Sequence, residues 1–413
     1  MIKSLRTRHT GLAPELSVEW SKRFNLITGD NGLGKSFLLD LSWWGLTHSW
    51  AGPPAMPNRG QPWAELNFIL SGKDGDSGGV SQIDIEGNDL AERLLGRTVS
   101  EGVVVYVRVD GGFSVWDKAR NGFSHLTGRP KVYNFATEQV WNGLDLNGIR
   151  VCEGLERDWV TWQKGQEPQF IALQEVLKAL SPPGEPIQPA TPQRVFLGEG
   201  RDRPMIVHAG QTVPLVHASA GIRRIMALAY LLVWSWFEYL EASELRGKPP
   251  SEDFVVLFDE PETHLHPKWQ RSVLPSVRAA LMGFLNNGEP QVLVATHAPL
   301  VLASIEPFFD PALDDLINLG LEDGVVKVTQ GLWSKQGDAA NWLVSEAFGL
   351  EQARSLPAEQ AIEAAEAFMR GAADELPEDL NSKDKIHAAL QRLLPDHDRF
   401  WARWLVRTGG LGD

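Results

Sequence analysis

The sequence is organised around residues 254–267, which read Phe254-Val-Val-Leu-Phe-Asp-Glu-Pro-Glu-Thr-His-Leu-His-Pro267. The first five residues are apolar or aromatic, a run too short for a helix and typical of a buried parallel strand. The run ends on two carboxylates, Asp259 and Glu260, and Pro261 then stops the strand ladder. Side chains at the carboxyl end of such a strand line the crevice in which open α/β sheets bind ligands. Asp259 is therefore a candidate Mg²⁺ ligand, directly or through water, and Glu260 is a candidate for polarising an attacking water.

A second segment supplies the phosphate-binding loop that this pair of carboxylates requires. Without such a loop, two acids after a strand are equally typical of a solvated strand end. A predicted strand over residues 23–28 leads directly into Gly29-Asp-Asn-Gly-Leu-Gly-Lys-Ser36, and a helix pattern follows. In this G-x-x-x-x-G-K-S pattern, the glycines let backbone N–H groups turn towards a phosphate. Lys35 can reach the β- and γ-phosphates of a nucleotide, and the Ser36 hydroxyl can bind Mg²⁺.

Composition and charge limit the classes of function. The 413-residue chain is 43% hydrophobic, which allows one large domain with insertions or two lobes. Its 39 basic and 53 acidic residues give a net charge of −14, so the surface as a whole does not favour DNA, and only a local basic patch would bind it. No apolar run approaches the ~20 residues of a membrane span, so we expect neither a span nor a signal peptide. Cys152 is the single cysteine, which suits a cytoplasmic protein.

Two further segments carry candidate functional residues. In the segment His-Ala-Ser-Ala-Gly-Ile-Arg-Arg over residues 217–224, Ser219 is placed to cap a long apolar helix. Residues 291–295 form another buried strand, which ends on Thr296 and His297. The second strand therefore brings a histidine to the same type of position as the two carboxylates.

The four segments together resemble the motifs of ABC-class ATPases. Residues 29–36, 219–221, 254–260 and 294–297 occur in the order and kind expected of the P-loop, signature, acidic strand and switch histidine. The wording E-P-E-x-H-L-H-P with T-H-A-P is similar to the branch containing RecF, SMC and OLD-type ATPases, and within it to stand-alone ATPases of the Septu and PARIS anti-phage systems. The implied fold is α/β: an ABC-type P-loop ATPase with a mixed β lobe, a parallel-sheet core and a helical lobe, plus a mostly helical C-terminal extension.

The resemblance also implies ATP and Mg²⁺ as cofactors and a role for each motif residue. His297 would donate a hydrogen bond to the γ-phosphate, and Glu260 would act on the attacking water. The implied sites are catalytic, Glu260 and His297; nucleotide-binding, Asn31, Gly32, Gly34, Lys35, Ser36, Ser219 and Gly221; and metal-binding, Ser36 and Asp259. The family's glutamine that links Mg²⁺ to the helical lobe could be Gln139, Gln163 or Gln166, and the sequence does not choose among them.

The signature segment implies a second subunit. Ser219 and Gly221 match the serine and glycine of the family's L-S-G-G-Q, which contact the γ-phosphate bound by the other subunit. Ala220 departs from the first glycine of that motif, and Ile222 replaces its last residue. The resemblance therefore implies a homodimer or higher homo-oligomer with composite sites.

The motifs divide the chain into two parts. We expect an ABC-type ATPase domain over residues 1–305, with a β lobe at 1–120, a helical region at 121–250 and the core motifs at 251–305. Residues 306–413 are expected to be an α+β extension that binds a separate effector protein, such as a nuclease or toxin. This extension lacks a D-x-D acid pair after an apolar strand, so nuclease activity is not expected in this chain.

Two questions stay open at the level of sequence. The apolar stripe of residues 383–394 and the following Phe400, Trp401 and Trp404 either pack within their own domain or dock a partner. The main functional alternative to a defence ATPase is a RecF-like DNA-repair ATPase that binds DNA. A transporter subunit is disfavoured because its signature normally lies closer to the acidic strand.

Overall fold

The computed structural model describes residues 1–72, 75–89, 98–122, 131–182, 184–208, 210–285, 288–331 and 333–409. The strands in these ranges are β1 (Ile2–Arg8), β2 (Glu15–Glu19), β3 (Phe24–Gly29), β4 (Ala64–Gly72), β5 (Gly75–Ile83), β6 (Val103–Val107), β7 (Phe113–Asp117), β8 (Tyr133–Phe135), β9 (Leu144–Leu146), β10 (Ile149–Cys152), β11 (Gln188–Gln193), β12 (Arg203–His208), β13 (Gln211–Pro214), β14 (Phe254–Asp259), β15 (Gln291–Ala295), β16 (Asp315–Glu322) and β17 (Val325–Gln330). The helices are α1 (Lys35–Thr47), α2 (Thr137–Asn142), α3 (Leu155–Gly165), α4 (Pro168–Leu180), α5 (Ala220–Leu245), α6 (Pro267–Gln270), α7 (Val273–Met282), α8 (Pro299–Ile305), α9 (Ala339–Leu343), α10 (Leu356–Arg370), α11 (Lys383–Leu393) and α12 (Phe400–Thr408).

An eight-stranded sheet carries the motif strands, in the order β17-β16-β3-β15-β14-β6-β7-β8. Strands β16, β3, β15, β14 and β6 run parallel, while β17, β7 and β8 are antiparallel to their neighbours. Every residue of β6, β14 and β15 is buried, as expected where both faces of a parallel sheet are covered. Because these strands are parallel, the residues that follow β3, β14 and β15 meet at one edge of the sheet. The α/β fold expected from the motifs is therefore present.

A second sheet packs on the other side of α1. It is antiparallel, in the order β2-β1-β4-β5. One apolar cluster contains residues from both sheets and from α1, including Leu5, Phe68, Trp43 and Leu257. Burial on all sides explains why α1 carries tryptophans rather than a polar face. The expected β lobe of residues 1–120 is thus divided, because β3, β6 and β7 belong to the eight-stranded sheet.

The long helix α5 begins at a serine cap. The Ser219 hydroxyl accepts a hydrogen bond from the Ile222 N–H at 3.4 Å, which satisfies one of the free donors of the first turn. Among the described helices, α5 has the length and apolarity that could span a membrane. Protein buries 72% of its most apolar window, so this is weak evidence for a span.

The chain divides into two compact units, Met1–Ala339 and Ala340–Asp413, so the expected boundary after residue 305 is wrong. The reason is that β16 pairs in parallel with β3, which makes the hairpin of β16 and β17 part of the ATPase sheet. The buried Asp314 carboxylate, just before β16, accepts a hydrogen bond from the Arg23 Nε at 2.8 Å. An ion pair of this kind, once formed, is costly to break.

The second unit has its own small core. Helices α10, α11 and α12 enclose an apolar cluster that includes Ile362, Ile386, Leu390, Phe400 and Trp404. The cluster includes most of the apolar stripe of residues 383–394, for which the sequence leaves a docking role open. Packing within its own domain therefore explains Phe400 and Trp404, and neither is available as a surface anchor for a partner.

We expect Trp404→Ala to destabilise the second unit by about 3–5 kcal/mol, because it leaves a cavity in the core. Trp404 is 0% exposed, and its indole N–H donates to His387 Nδ1 at 3.1 Å. The measurement is the opening free energy of the α10–α12 amides by hydrogen exchange. Trp401→Ala is the matched control, since Trp401 is partly exposed and should cost clearly less. Equal losses for the two variants would contradict this packing.

Candidate nucleotide-binding site

The P-loop starts where β3 ends, and its backbone requires glycine. Gly29 has φ 128°, and a Cβ there would lie 2.2 Å from the Leu319 carbonyl oxygen on neighbouring β16. Gly34, with φ 96° and ψ 25°, makes the left-handed step into α1. The loop thus reverses tightly and leaves the first N–H groups of α1 at its mouth. This is an arrangement that binds phosphate.

The Lys35 side chain folds back into the P-loop and bonds to its backbone. Its ammonium group donates to the carbonyl oxygens of Gly29 at 2.7 Å and Asp30 at 2.8 Å, and the residue is 6% exposed. Burial lowers the pKa of Lys35, while the carboxylates of Glu260, Asp30 and Asp259 act in the opposite direction. The result is a cation held within the loop, facing an acidic strand end.

Ser36 and Asp259 bring two oxygen donors together. The Ser36 hydroxyl donates to Asp259 Oδ1 at 2.9 Å, although the two residues are far apart in sequence. Asp259 is 3% exposed, and burial raises its pKa to about 6, opposed by the hydrogen bond from Ser36. Among the described residues, the Asp259 carboxylate has no hydrogen bond from a cationic side chain. A hydroxyl next to such a buried carboxylate fits the oxygen donors that Mg²⁺ prefers.

A partly buried acid, Asp40, lies close to this pair, and the sequence analysis did not identify it. Asp40 follows Ser36 by one helical turn, and burial raises its pKa to about 6, opposed by a hydrogen bond from Tyr106 on β6. The spacing of four residues after Ser36 was the available signal, since residues i and i+4 share a helix face. Asp40 therefore adds a third acid–base group next to Ser36 and Asp259.

Glu260 leaves the strand in a left-handed conformation, with φ 50°. Its N–H donates to the Ala295 carbonyl oxygen at 2.9 Å, so β15 fixes the turn. Glu260 Oε1 lies 3.8 Å from His297 Nε2, and both side chains are partly exposed. Burial and the nearby Lys35 ammonium lower the pKa of His297, opposed by Glu260 and Asp30, and so favour the neutral imidazole. A partly exposed carboxylate beside a neutral imidazole can accept a proton from water.

Glu262 positions His297, a role that the sequence did not reveal. Its carboxylate accepts from the Thr296 hydroxyl at 2.9 Å and from the His297 N–H at 2.8 Å. The Thr296 hydroxyl in turn accepts from the Ala298 N–H at 3.0 Å. These hydrogen bonds therefore fix the loop after β15 to the loop after β14. The only signal was the acidic residue two positions after Glu260.

The structure brings together most, but not all, of the expected site residues. Lys35, Ser36, Asp259, Glu260 and His297 lie at one sheet edge, whereas Asn31 and Gly32 lie on the exposed part of the loop.

Ser219 and Gly221 lie at the start of α5 and not at the sheet edge where the five residues above meet. Ser219 is exposed and bonds to Ile222 of its own helix. A Cβ on Gly221 would lie 2.9 Å from the His264 carbonyl oxygen, so the loop after β14 packs tightly against this helix start. The exposed serine is accessible to another molecule.

Two of the three candidate glutamines have internal partners. Gln139 Oε1 accepts from the Ala136 N–H at 2.8 Å, which caps α2. Gln163 accepts from the Trp159 indole and donates to the Ala190 carbonyl. Gln166 ends α3 in a left-handed conformation. The contacts of the first two therefore stay within the helical region.

One comparison with known proteins covers the segment that contains Asp259, Glu260 and His297. A family model described as "AAA domain, putative AbiEii toxin, Type IV TA system" matches residues 205–303. The Septu protein PtuA of Bacillus thuringiensis is 26% identical over 143 residues, which is 34% of this chain and 33% of PtuA. The match thus spans about a third of the relative's length.

Solved structures with a similar arrangement include SMC and RecF proteins. The SMC head domain from Thermotoga maritima has a TM-score of 0.40 at 15% identity, over 80% of this chain and 99% of that chain. The recombination mediator RecF, solved as RecF-ATPrS, has a TM-score of 0.39 at 13% identity, over 79% and 98%. The resemblance of this chain to ABC-type ATPases of defence systems rests on its motifs, the family match and PtuA.

Proposed function

We propose that this chain is a Mg²⁺-dependent, ABC-type ATPase of a bacterial anti-phage defence system. It would act in the cytoplasm as a homodimer or higher homo-oligomer and control a separate effector such as a nuclease. The observation that carries the ATPase proposal is the convergence of Lys35, Ser36, Asp259, Glu260 and His297 at one sheet edge. The defence role is supported by the match to PtuA.

In this proposal the P-loop binds the triphosphate. The N–H groups at the start of α1 and the partial positive charge of the helix would hold the β-phosphate. Lys35 would exchange the carbonyls of Gly29 and Asp30 for phosphate oxygens, to which a cation bonds more strongly.

Ser36 and Asp259 would hold Mg²⁺. When bound, the ion neutralises charge on the β- and γ-phosphates. Asp259 would hold the ion in its ionised form, which a nearby positive charge favours against the direction in which burial moves its pKa.

Glu260 would then orient the attacking water and accept its proton. His297, held by Glu262, would donate a hydrogen bond to the γ-phosphate through its neutral imidazole. The two residues therefore have separate duties in the proposal, proton transfer and charge stabilisation.

Ser219 and Gly221 would complete the site from a second copy of the chain. Ser219 is exposed, and its hydrogen bond among the described residues is with Ile222 of its own helix. An exposed serine at the start of a long helix can present N–H groups to a phosphate on another molecule. With a composite site, ATP hydrolysis depends on assembly of the subunits. The assembled form is then a distinct state that an effector can recognise.

Mixing two inactive variants tests the composite site. Lys35→Ala and Ser219→Arg should each lack ATPase activity alone. Mixed in equal amounts, they should recover about a quarter of the wild-type rate, since half of the dimers then contain one intact site. His217→Arg is the control, because it adds the same charge on the same exposed loop without removing the serine. A mixture that stays inactive, while the two variants form dimers, would exclude composite sites.

A further inference from the structure

An apolar cleft of about 400 Å³ opens beside the P-loop. Its lining includes Leu33, Gly34 and Phe37 from the P-loop and α1, residues 11–13 of the turn between β1 and β2, and Asn58. Gly34 and Phe37 flank the two residues that the proposed function assigns to phosphate and metal, so the cleft adjoins the proposed phosphate site. The inference below rests on that proposed function.

The lining suits the flat faces of a nucleobase. Leu12, Ala13, Leu16 and the half-buried ring of Phe37 supply apolar and aromatic surface, on which bases stack without sequence preference. Gly11 has φ 71°, and a Cβ there would lie 2.7 Å from a ring carbon of Phe37. Glycine therefore leaves space for this ring at the mouth of the cleft.

Selection between bases requires a polar group at the base edge. The Thr10 hydroxyl is already engaged, since it donates to the Met56 carbonyl at 2.9 Å. The Asn58 side chain also lines the cleft, and within the described residues its amide has no hydrogen-bond partner. Its amide therefore offers a donor and an acceptor, side by side, to a ligand.

The backbone holds Asn58 in place. The Asn58 N–H donates to the His9 carbonyl at 2.6 Å, and its own carbonyl accepts from the Gln61 N–H at 2.9 Å. The preceding residue, Pro57, forms a β-bridge with Thr10. The segment is thus anchored to the β1–β2 turn, so the backbone of Asn58 is held beside the cleft.

We propose that Asn58 is the residue that selects adenine. The amide oxygen accepts from the 6-amino group of the base, and the amide N–H donates to the adjacent ring nitrogen. An aspartate at this position keeps the acceptor but loses the donor. It would instead pair with guanine, whose ring N1–H and 2-amino group are both donors.

The test is the affinity of Asn58→Asp, Asn58→Ala and wild type for Mg·ATP and Mg·GTP. Asn58→Asp should shift the ATP-to-GTP affinity ratio towards GTP by about 10- to 100-fold, and Asn58→Ala should bring the two affinities close together. Gln61→Glu is the matched control, because it adds the same negative charge nearby without lining the cleft. Melting temperatures confirm that all four proteins are folded.

The outcomes separate this inference from the proposed function. An unchanged ATP-to-GTP ratio in Asn58→Asp, with ATP still bound, would overturn the role of Asn58 and leave the ATPase proposal intact. Equal losses of affinity for ATP and for GTP in both Asn58→Asp and Gln61→Glu would also overturn the role of Asn58, because the added negative charge alone would then explain the effect. Wild-type protein that binds neither nucleotide would overturn the ATPase proposal and this inference with it.

Discussion

Lys35→Ala is expected to abolish tight nucleotide binding, with a loss in affinity of at least about a hundredfold. The ammonium group is buried inside the loop, and its present partners are two backbone carbonyls that a phosphate can replace. Without it, the triphosphate would lose its main cationic contact while Asp259 and Glu260 still repel it. Titration with a fluorescent ATP analogue measures the effect.

Lys22→Ala is the matched control for Lys35→Ala. Lys22 is exposed just before β3, so its removal changes the net charge equally but leaves the loop intact. It should bind ATP as the wild type does. Wild-type affinity in Lys35→Ala would mean that the loop does not hold the phosphates.

Glu260→Gln is expected to keep ATP bound and to lower the rate of hydrolysis by about 10²- to 10⁴-fold. Glutamine has the same size and can still accept a hydrogen bond from water, but it cannot take the proton. ATP should therefore accumulate in an assembled, unhydrolysed complex, visible as a larger species in size-exclusion chromatography with light scattering.

Glu252→Gln serves as the control for Glu260→Gln, since it makes the same change at an exposed position before β14. It should hydrolyse ATP at the wild-type rate. If Glu260→Gln did so as well, another group would have to accept the proton, and Asp259 would then be the first to examine.

The sequence allowed the core of the site to be predicted because each part is local. A glycine-rich loop and a strand that ends on two acids each carry their chemistry within a few residues. Parallel pairing of β3, β15 and β14 then brings Lys35, Asp259 and His297 together without further information.

Other features depend on contacts between distant segments, which leave little trace in the sequence. Glu262 supports His297 only because the loops after β14 and β15 lie side by side. The expected domain boundary lies too early because an apolar strand does not reveal its neighbour: β16 pairs with β3 and therefore belongs to the first unit, not to the C-terminal extension. From sequence alone, the apolar stripe that contains Trp404 fits a domain core and a docking surface equally well. Its contacts with the neighbouring helices show that it belongs to the core.

The most direct test of the ATPase claim is the release of inorganic phosphate from ATP by purified wild-type protein, measured beside Glu260→Gln. We predict repeated turnover by the wild type in the presence of Mg²⁺, no turnover after chelation of the metal, and loss of turnover with retained ATP binding in Glu260→Gln. Absence of phosphate release by an assembled wild-type protein that binds Mg·ATP, or equal turnover by Glu260→Gln, would contradict the assignment.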